Sequence, residues 1–425
     1  MTPWVLLEHH SGNHPHNGRL RSLRLIVFFK SEVFGLLDRL RTLGCLMVTV
    51  VLCGSGLAYS AEESSSAAAQ VGGKKESPWL LTPLLSVDPK LGRNVGALAA
   101  YTLRFDDDSP VSMFGVAVTY SSTDSYVGGL FADLYWQQDR NRLSLGAGFG
   151  KIRNDYDDFL GSGANVKTVD NFDALFLRYV RRIGDSPWFI GGLVLNSNYQ
   201  IDFPPKNSAI ADQIGYLGFE ATGAGVVLNF DSRDDIRNPT RGTFASVYNV
   251  AYRGSDDENI AEPILPGLEE PILSSGKGNT DFDVYHAEAR TYLHLNLGFA
   301  GGGSTLALEL KNRLTDDAPI SGYSSISLPG YTKGNYLGQN YSHLQFDLRL
   351  PLGQRWGAVV FGGVGCLYGD GIGGDGISCS DNSYPALGAG VSYLLKAESG
   401  IVVRAEVAKG SGDNSALYLR FGHPF

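Results

Sequence analysis

The stretch "LQFDLRL" puts Leu344, Phe346, Leu348 and Leu350 on one face of an extended strand and Gln345, Asp347 and Arg349 on the other. "LALEL" does the same, with Leu306, Leu308 and Leu310 against Ala307 and Glu309, a face that Lys311 continues. "IVVRAEV" sets Ile401, Val403, Ala405 and Val407 against Arg404 and Glu406. Period-two alternation is the signature of strands with two unlike faces. Beyond residue 60 no apolar run approaches the ~20 residues that a membrane helix needs. Such a chain enters a bilayer only as a closed barrel, because no other sheet satisfies its backbone in lipid. Alternation alone does not say which face is inside: a soluble sandwich buries its apolar face, and a membrane barrel turns it outward.

The connections decide between them. The alternation marks strands near 79–88, 93–105, 112–121, 125–137, 141–151, 173–183, 187–200 and 214–230. It continues near 242–254, 280–295, 304–313, 342–352, 357–368, 384–395, 401–409 and 416–425. That makes about sixteen strands, an even number as in bacterial outer-membrane barrels. With both termini on the periplasmic side, the long connections 152–172, 201–213, 255–279, 314–341 and 369–383 all fall outside. The short ones ("FDDDSP", "QQDRN", "IGDS", "LGQRWG", "KAESG") all fall inside, and only "DSRDDIRNPTRG" is longer there. Long outer loops and short inner turns are the pattern of transmembrane barrels. The expected fold is therefore all-β, a closed antiparallel transmembrane barrel over 79–425. Only 19% of residues are charged, and 54 Gly, 21 Tyr and 21 Phe suit that class. A net charge of −9 excludes nucleic acid as a partner.

Residues 1–60 read as a signal peptide with an extended or misassigned start. Arg39 and Arg41 precede the uncharged "LGCLMVTVVLCGSGLAY", and Ala58 and Ser60 suit cleavage before Ala61. Residues 61–78 are small and polar and read as a disordered tether. Two cysteines lie in the signal. The exported pair, Cys366 and Cys379, reads as one disulfide closing a Gly-rich outer loop.

The ending "ALYLRFGHPF" places Leu417, Leu419 and Phe421 on one face, with Phe425 last. It resembles the C-terminal targeting signal through which the barrel-insertion machinery takes up outer-membrane barrels. Phe425 is expected in the aromatic girdle at the inner interface. Pro424 cannot donate to a ladder, so the seam between first and last strands is expected to fray at its periplasmic end.

Two further motifs carry a family resemblance. "GAGVVLNFDSRDDIRNPTRGTFASVYN" centres on Asp231, Arg233, Asp234, Asn238, Pro239, Thr240, Arg241 and Gly242. "LPGYTKGNYLGQNYSHLQFDLRLPL" with "WGAVVFGGVGCLY" contains Leu328, Pro329, Gly330 and Tyr331. Together they resemble the BamA/TamA-like bacterial surface antigen barrels, the second being that family's sixth outer loop. Asn-Pro starts a turn that Gly242 can end, and the acids are expected to pair with Arg233, Arg237 and Arg241. The family's loop carries an Arg before Gly and an aromatic; here Pro329 stands there, and Gly363 stands where an acid is usual. Asp347 is then left to Arg349 or Lys333, and docking of the loop in the lumen stays open. Asp347, Arg349, Glu309 and Lys311 are the expected polar partners in the lumen.

The resemblance implies insertion or translocation of a protein or lipid client, in the company of outer-membrane lipids. The periplasmic receptor domains of active family members have no room in 61–78. A passive or plugged channel and a structural surface barrel are the alternatives. No nucleophile–base constellation, cofactor motif or metal motif stands out. His286 and His294, alternating with Glu288 and Arg290, read as polar lumen lining, so no enzyme is expected.

Overall fold

In the computed structural model the described residues are 77–88, 92–156, 166–202, 217–254, 281–297, 303–316, 318, 322–331, 334–371, 375–397 and 399–425. The expected signal and all but the last two residues of the tether lie outside them.

The chain builds β1 (Trp79–Asp88), β2 (Gly92–Leu103), β3 (Ser112–Ser121), β4 (Tyr126–Trp136), β5 (Asn141–Tyr156) and β6 (Val166–Arg182). It continues with β7 (Trp188–Asp202), β8 (Leu217–Asp231), β9 (Gly242–Gly254), β10 (Phe282–Leu295) and β11 (Ser304–Asp316). The short β12 (Ser324–Ser325) and β13 (Leu337–Gly338) pair with each other inside one loop. Then come β14 (Asn340–Pro351), β15 (Trp356–Asp370), the short β16 (Gly376–Ile377), β17 (Ser383–Lys396), β18 (Ile401–Lys409) and β19 (Ser415–Phe421). Each long strand pairs antiparallel with the next, and β19 pairs with β1. Sixteen long strands thus close one antiparallel barrel, as the alternation foretold.

Burial settles which face is inside. Leu81 and Leu387 are 77% and 61% exposed, whereas Asp347 and Arg404 are 0% exposed. Leu310 stands out from the wall while its neighbour Glu309 is buried. A soluble sheet would do the opposite. Apolar side chains outside and ions within suit a barrel whose outer solvent is lipid. Edge-on and tilted aromatic pairs ring one end of the outer face: Trp79–Tyr101, Trp136–Tyr179, Trp188–Phe230 and Trp356–Tyr393. They form an interfacial girdle beside the short turns, which marks that end as periplasmic.

β5 and β6 run for 16 and 17 residues, well beyond the ~10 that cross a bilayer, so their ends extend past it on the outer side. The apolar alternation faded there because the buried positions of these extensions are polar, with Asn154, Thr168 and Asp170 bonded to one another. Cys366 on β15 is bonded to Cys379 just after β16, with Cα atoms 5.0 Å apart. The bridge clips the outer loop as expected.

Candidate functional site: a filled lumen and a short seam

The long periplasmic turn 232–241 is shaped by its own acids. Asp234 accepts from the Thr240 amide (2.9 Å), the Thr240 hydroxyl (2.5 Å) and the Arg241 amide (3.2 Å). Burial alone would raise the Asp234 pKa; these bonds, with the Asp235 amide, hold it below the usual range. Asp235 accepts from the Arg237 and Asn238 amides, each at 2.7 Å. The turn ends at Gly242, whose φ of +97° admits no ordinary side chain. Only Asp231 forms the expected ion pair, with Arg233 (2.8 Å), and it takes Arg142 of β5 as well (2.6 Å). Asp234 and Asp235 instead organise backbone amides, so the expectation of paired acids is corrected for them.

Shaped this way, the turn reaches under the lumen. Arg237 lies 5.9 Å from the Tyr135 ring of β4. The Pro239 carbonyl accepts from Arg349 of β14 (3.1 Å). Asn238 accepts from His423 beyond β19 (2.9 Å). One connection therefore touches β4, β14 and the segment after β19. Its length, the one exception among the inner turns, is what crossing the mouth requires.

Residues 422–425 fold inward to meet it. His423 receives Arg404 on its other ring nitrogen (3.0 Å), which fixes Nε2–H as the donor to Asn238. Arg349 donates to the Phe425 main-chain oxygen (2.9 Å), and the Phe425 ring packs with Tyr292 and Ala307 on inner faces of β10 and β11. Phe425 is thus in the lumen, not in the interfacial girdle. The turn at Gly422 and Pro424 takes it out of the strand's alternation. Leu417, Leu419 and Phe421 do face outward, opposite Tyr418 and Arg420.

Asp347 is the hub above this layer. Arg404 of β18 grips both its oxygens (2.7 and 2.9 Å), and Arg349 adds a bond at 2.7 Å. Arg404 also contacts Glu406, which Arg420 approaches at 3.1 Å. The sequence reading paired Asp347 with Arg349 or Lys333. Arg349 is there, Lys333 lies outside the described residues, and the stronger partner Arg404 was not singled out. Its inner-face position in "IVVRAEV" was visible; its reach across three strands was not.

The sixth loop, between β11 and β14, docks inside. Leu328, Pro329, Gly330 and Tyr331 are all buried. Leu328 and Tyr331 join Ile326, Tyr341, Leu367 and Ala386 in an apolar cluster. The Tyr331 hydroxyl donates to the Pro385 carbonyl (2.7 Å) and accepts from the Ser411 amide (2.8 Å). The Gly330 amide donates to the Tyr418 hydroxyl (3.1 Å). A Cβ on Gly410 would stand 2.6 Å from the Tyr331 ring. The loop is held by an aromatic hydroxyl, and the guanidinium that grips Asp347 comes from the wall. Deeper along β14, the Tyr341 hydroxyl accepts from the Ser327 amide (3.2 Å) and contacts His343 (3.0 Å). His343 meets Glu309 (2.8 Å), which Arg290 also binds (2.7 Å). Lys311 shares this inner face and makes no ion pair among the described residues.

The seam is short. Only Ser86 with Tyr418 and Val87 with Leu417 pair across β1 and β19. It is unladdered towards the periplasm, as Pro424 led us to expect. Instead Leu80 and Leu84, on the inner face of β1, share an apolar cluster with Leu98, Ala100, Met113, Ile401 and Phe421. Phe421 is on the outer face of β19. An inner face meeting an outer face means that the two edges lap: the foot of β1 passes outside β19. Lys396 of β17 reaches the Ser77 carbonyl and ties the lap down.

Among solved structures, the chain is similar to CdiB from Acinetobacter baumannii, with a TM-score of 0.53 and 12% identity over 81% of this chain and 59% of that one. The fold is that of CdiB. CdiB from Escherichia coli matches with a TM-score of 0.51, 12% identity and coverage of 82% and 63%. BamA from Haemophilus ducreyi lacking POTRA domains 1–3 aligns at 0.45 and 12%, covering 82% and 70%. The chain therefore spans about six tenths of each CdiB. No family model matches the sequence, and no curated protein matches it either.

Proposed function

We propose that the protein sits in the bacterial outer membrane and opens its β1–β19 seam sideways to insert or translocate a protein or lipid client. The seam is the observation that carries this reading. Two residue pairs join edges that could ladder over the length of β19. Every unpaired backbone group facing lipid costs free energy, so a short ladder is a weak point by construction. The lapped apolar layer shields that edge without pairing it. The resemblance to the surface antigen barrels points to the same class of work, and the insertion machinery that receives the last strand is the natural assembly partner. In this reading Tyr341, His343 and Glu309 hold the sixth loop to the wall and do no chemistry.

A cysteine clamp tests it. Val87→Cys with Leu417→Cys, built in a chain with Cys366→Ser and Cys379→Ser, bolts the seam when oxidised. In a deletion strain whose outer-membrane protein and lipid inventory has changed, the clamped barrel should restore it only under reducing conditions. Equal restoration by the oxidised clamp would overturn the proposal. The doubly filled lumen favours a plugged over a freely conducting barrel, so single-channel recordings should show no steady conductance.

A further inference from the structure

On the outer face, at the periplasmic girdle, lies a groove of about 630 Å³ lined by Phe105, Leu134, Trp136 and Leu143, with Asp106, Gln137 and Gln138 at its lower edge. Leu134, Trp136 and Leu143 alternate with inward residues of β4 and β5, so the groove opens to lipid. Phe105 is 54% exposed above it. The groove is built, not incidental. Gln137, Gln138 and Asp139 all hold φ near +58°, a conformation that L side chains rarely adopt. They are held by Asp106 on the Gln138 amide (3.2 Å), Ser109 on the Asp139 amide (2.9 Å) and Asp108 on the Gln138 amide side chain (3.3 Å).

Of the acidic turn beside it, Asp106 lines the groove itself; Asp108 borders an adjoining cavity where Arg142, Arg182, Arg233 and Arg237 face Asp139, Asp231, Asp234 and Asp235 and add no net charge. Asp106, Asp107 and Asp108 form no ion pair among the described residues. Arg104, on the same turn, gives its guanidinium to the Asp107 and Ser109 carbonyls. Three acids and one base leave the turn at −2. The neighbouring Arg140 is already paired with Asp185 (2.6 Å). Loss of hydration raises the Asp106 pKa, but bonds from Ser109 and the Gln138 and Gln137 amides more than reverse this, so it stays ionised.

We propose that this groove seats an acyl chain of an inner-leaflet phospholipid whose headgroup carries a primary ammonium, with the ammonium on the Asp106–Asp108 turn. The apolar wall faces the bilayer and fits a chain. The acidic rim sits at headgroup height and suits a cation, while an anionic headgroup is repelled there. This assignment rests on the barrel's orientation and not on seam opening, and the two fail separately.

The test uses Trp136 as the reporter. Four of the five Trp are replaced by Phe, and the full chain is placed in nanodiscs doped with phosphatidylethanolamine or phosphatidylglycerol brominated on the acyl chain. Bromine at the groove quenches Trp136. Quenching should be about two- to fivefold stronger with the ethanolamine lipid, the span that exposed ion pairs support, and should shrink towards parity at high salt. Asp107→Asn with Asp108→Asn takes the turn from −2 to 0 and should abolish the preference, with heat-modifiable migration confirming the folded barrel. Phe105→Ser should lower quenching by both lipids. Equal quenching in the parent chain, a preference that survives the double Asn variant, or no quenching by either lipid would each overturn the proposal.

Discussion

Replacing Arg404 by Ala tests the wall-borne ion cluster directly. The side chain is fully buried, with two bonds to Asp347, one to His423 and a contact to Glu406. Removing one partner of a buried pair costs about 3–5 kcal/mol, because the other charge is left uncompensated. Asp347 keeps Arg349 and Glu406 keeps Arg420, so the expected cost is about 3 kcal/mol, the low end of that range. Arg404→Lys keeps the charge but cannot grip both carboxylate oxygens, and should cost about half as much. Adding Asp347→Asn to Arg404→Ala should cost about 2 kcal/mol less than the two single changes summed, since they share one interaction. Urea unfolding in lipid vesicles, followed by Trp fluorescence and by heat-modifiable migration, reads the parent and the four variants. A loss under ~1 kcal/mol for Arg404→Ala, a value usual for exposed pairs, or strict additivity of the pair, would refute the claim that Arg404 is the main partner of the buried Asp347.

His423 is kept neutral by its burial and by Arg349 and Arg404, which hold its pKa well below the ordinary value. The unfolded chain therefore takes up a proton that the folded barrel refuses, and stability should fall as pH drops below ~6.5; His423→Gln should flatten that slope in unfolding measured from pH 8 to 5. Tyr331→Phe deletes two hydrogen bonds, a loss of about 1–3 kcal/mol, and Gly410→Ala should push the ring aside; both should speed cutting of the sixth loop by protease added to whole cells. Reducing the Cys366–Cys379 bridge opens a loop of about 14 residues worth ~3 kcal/mol of chain entropy, so outer protease should cut 369–383 faster. Deleting Phe425 removes its packing on Tyr292 and should lower barrel assembly without changing synthesis or export, read by heat-modifiable migration.

The wall of this barrel was legible in the sequence because one variable, the face each residue takes, repeats along every strand. Alternation put Glu309, Asp347 and Arg349 on one face and Leu310 and Leu344 on the other, and the pattern of long and short connections turned the charged face inward. What alternation cannot carry is distance across the lumen. Arg404 and Asp347 are 57 residues apart, and Asn238 and His423 are 185 apart; nothing local marks either pair. Phe425 was misplaced for a related reason: the rule of faces holds only while the strand lasts, and Gly422 and Pro424 end it. The docking of the sixth loop could not be inferred from its sequence, because its anchors Pro385, Ser411 and Tyr418 lie far along the chain. Tyr331 and Gly410 were the available clue, an aromatic and a glycine that only make sense face to face.

The two plugs share an anchorage. The sixth loop binds Tyr418 of β19, Ser411 in the β18–β19 turn and Pro385 of β17. The periplasmic turn binds the barrel through His423, just beyond β19, and through Arg349, which itself holds Phe425. Both fillings of the lumen therefore hold the β19 side of the seam, and the periplasmic turn reaches β4 as well. The β1–β19 ladder contributes two residue pairs, while moving β19 outward would also break the Gly330–Tyr418 bond, the Arg420–Glu406 contact and the His423 bonds to Asn238 and Arg404. At about 0.5–1.5 kcal/mol for an ordinary hydrogen bond and more for one to a charged group, those contacts outweigh the ladder. The ladder is the smaller part of what holds β19 in place, so on the proposed reading whatever draws the loop or the turn off β19 also loosens the seam.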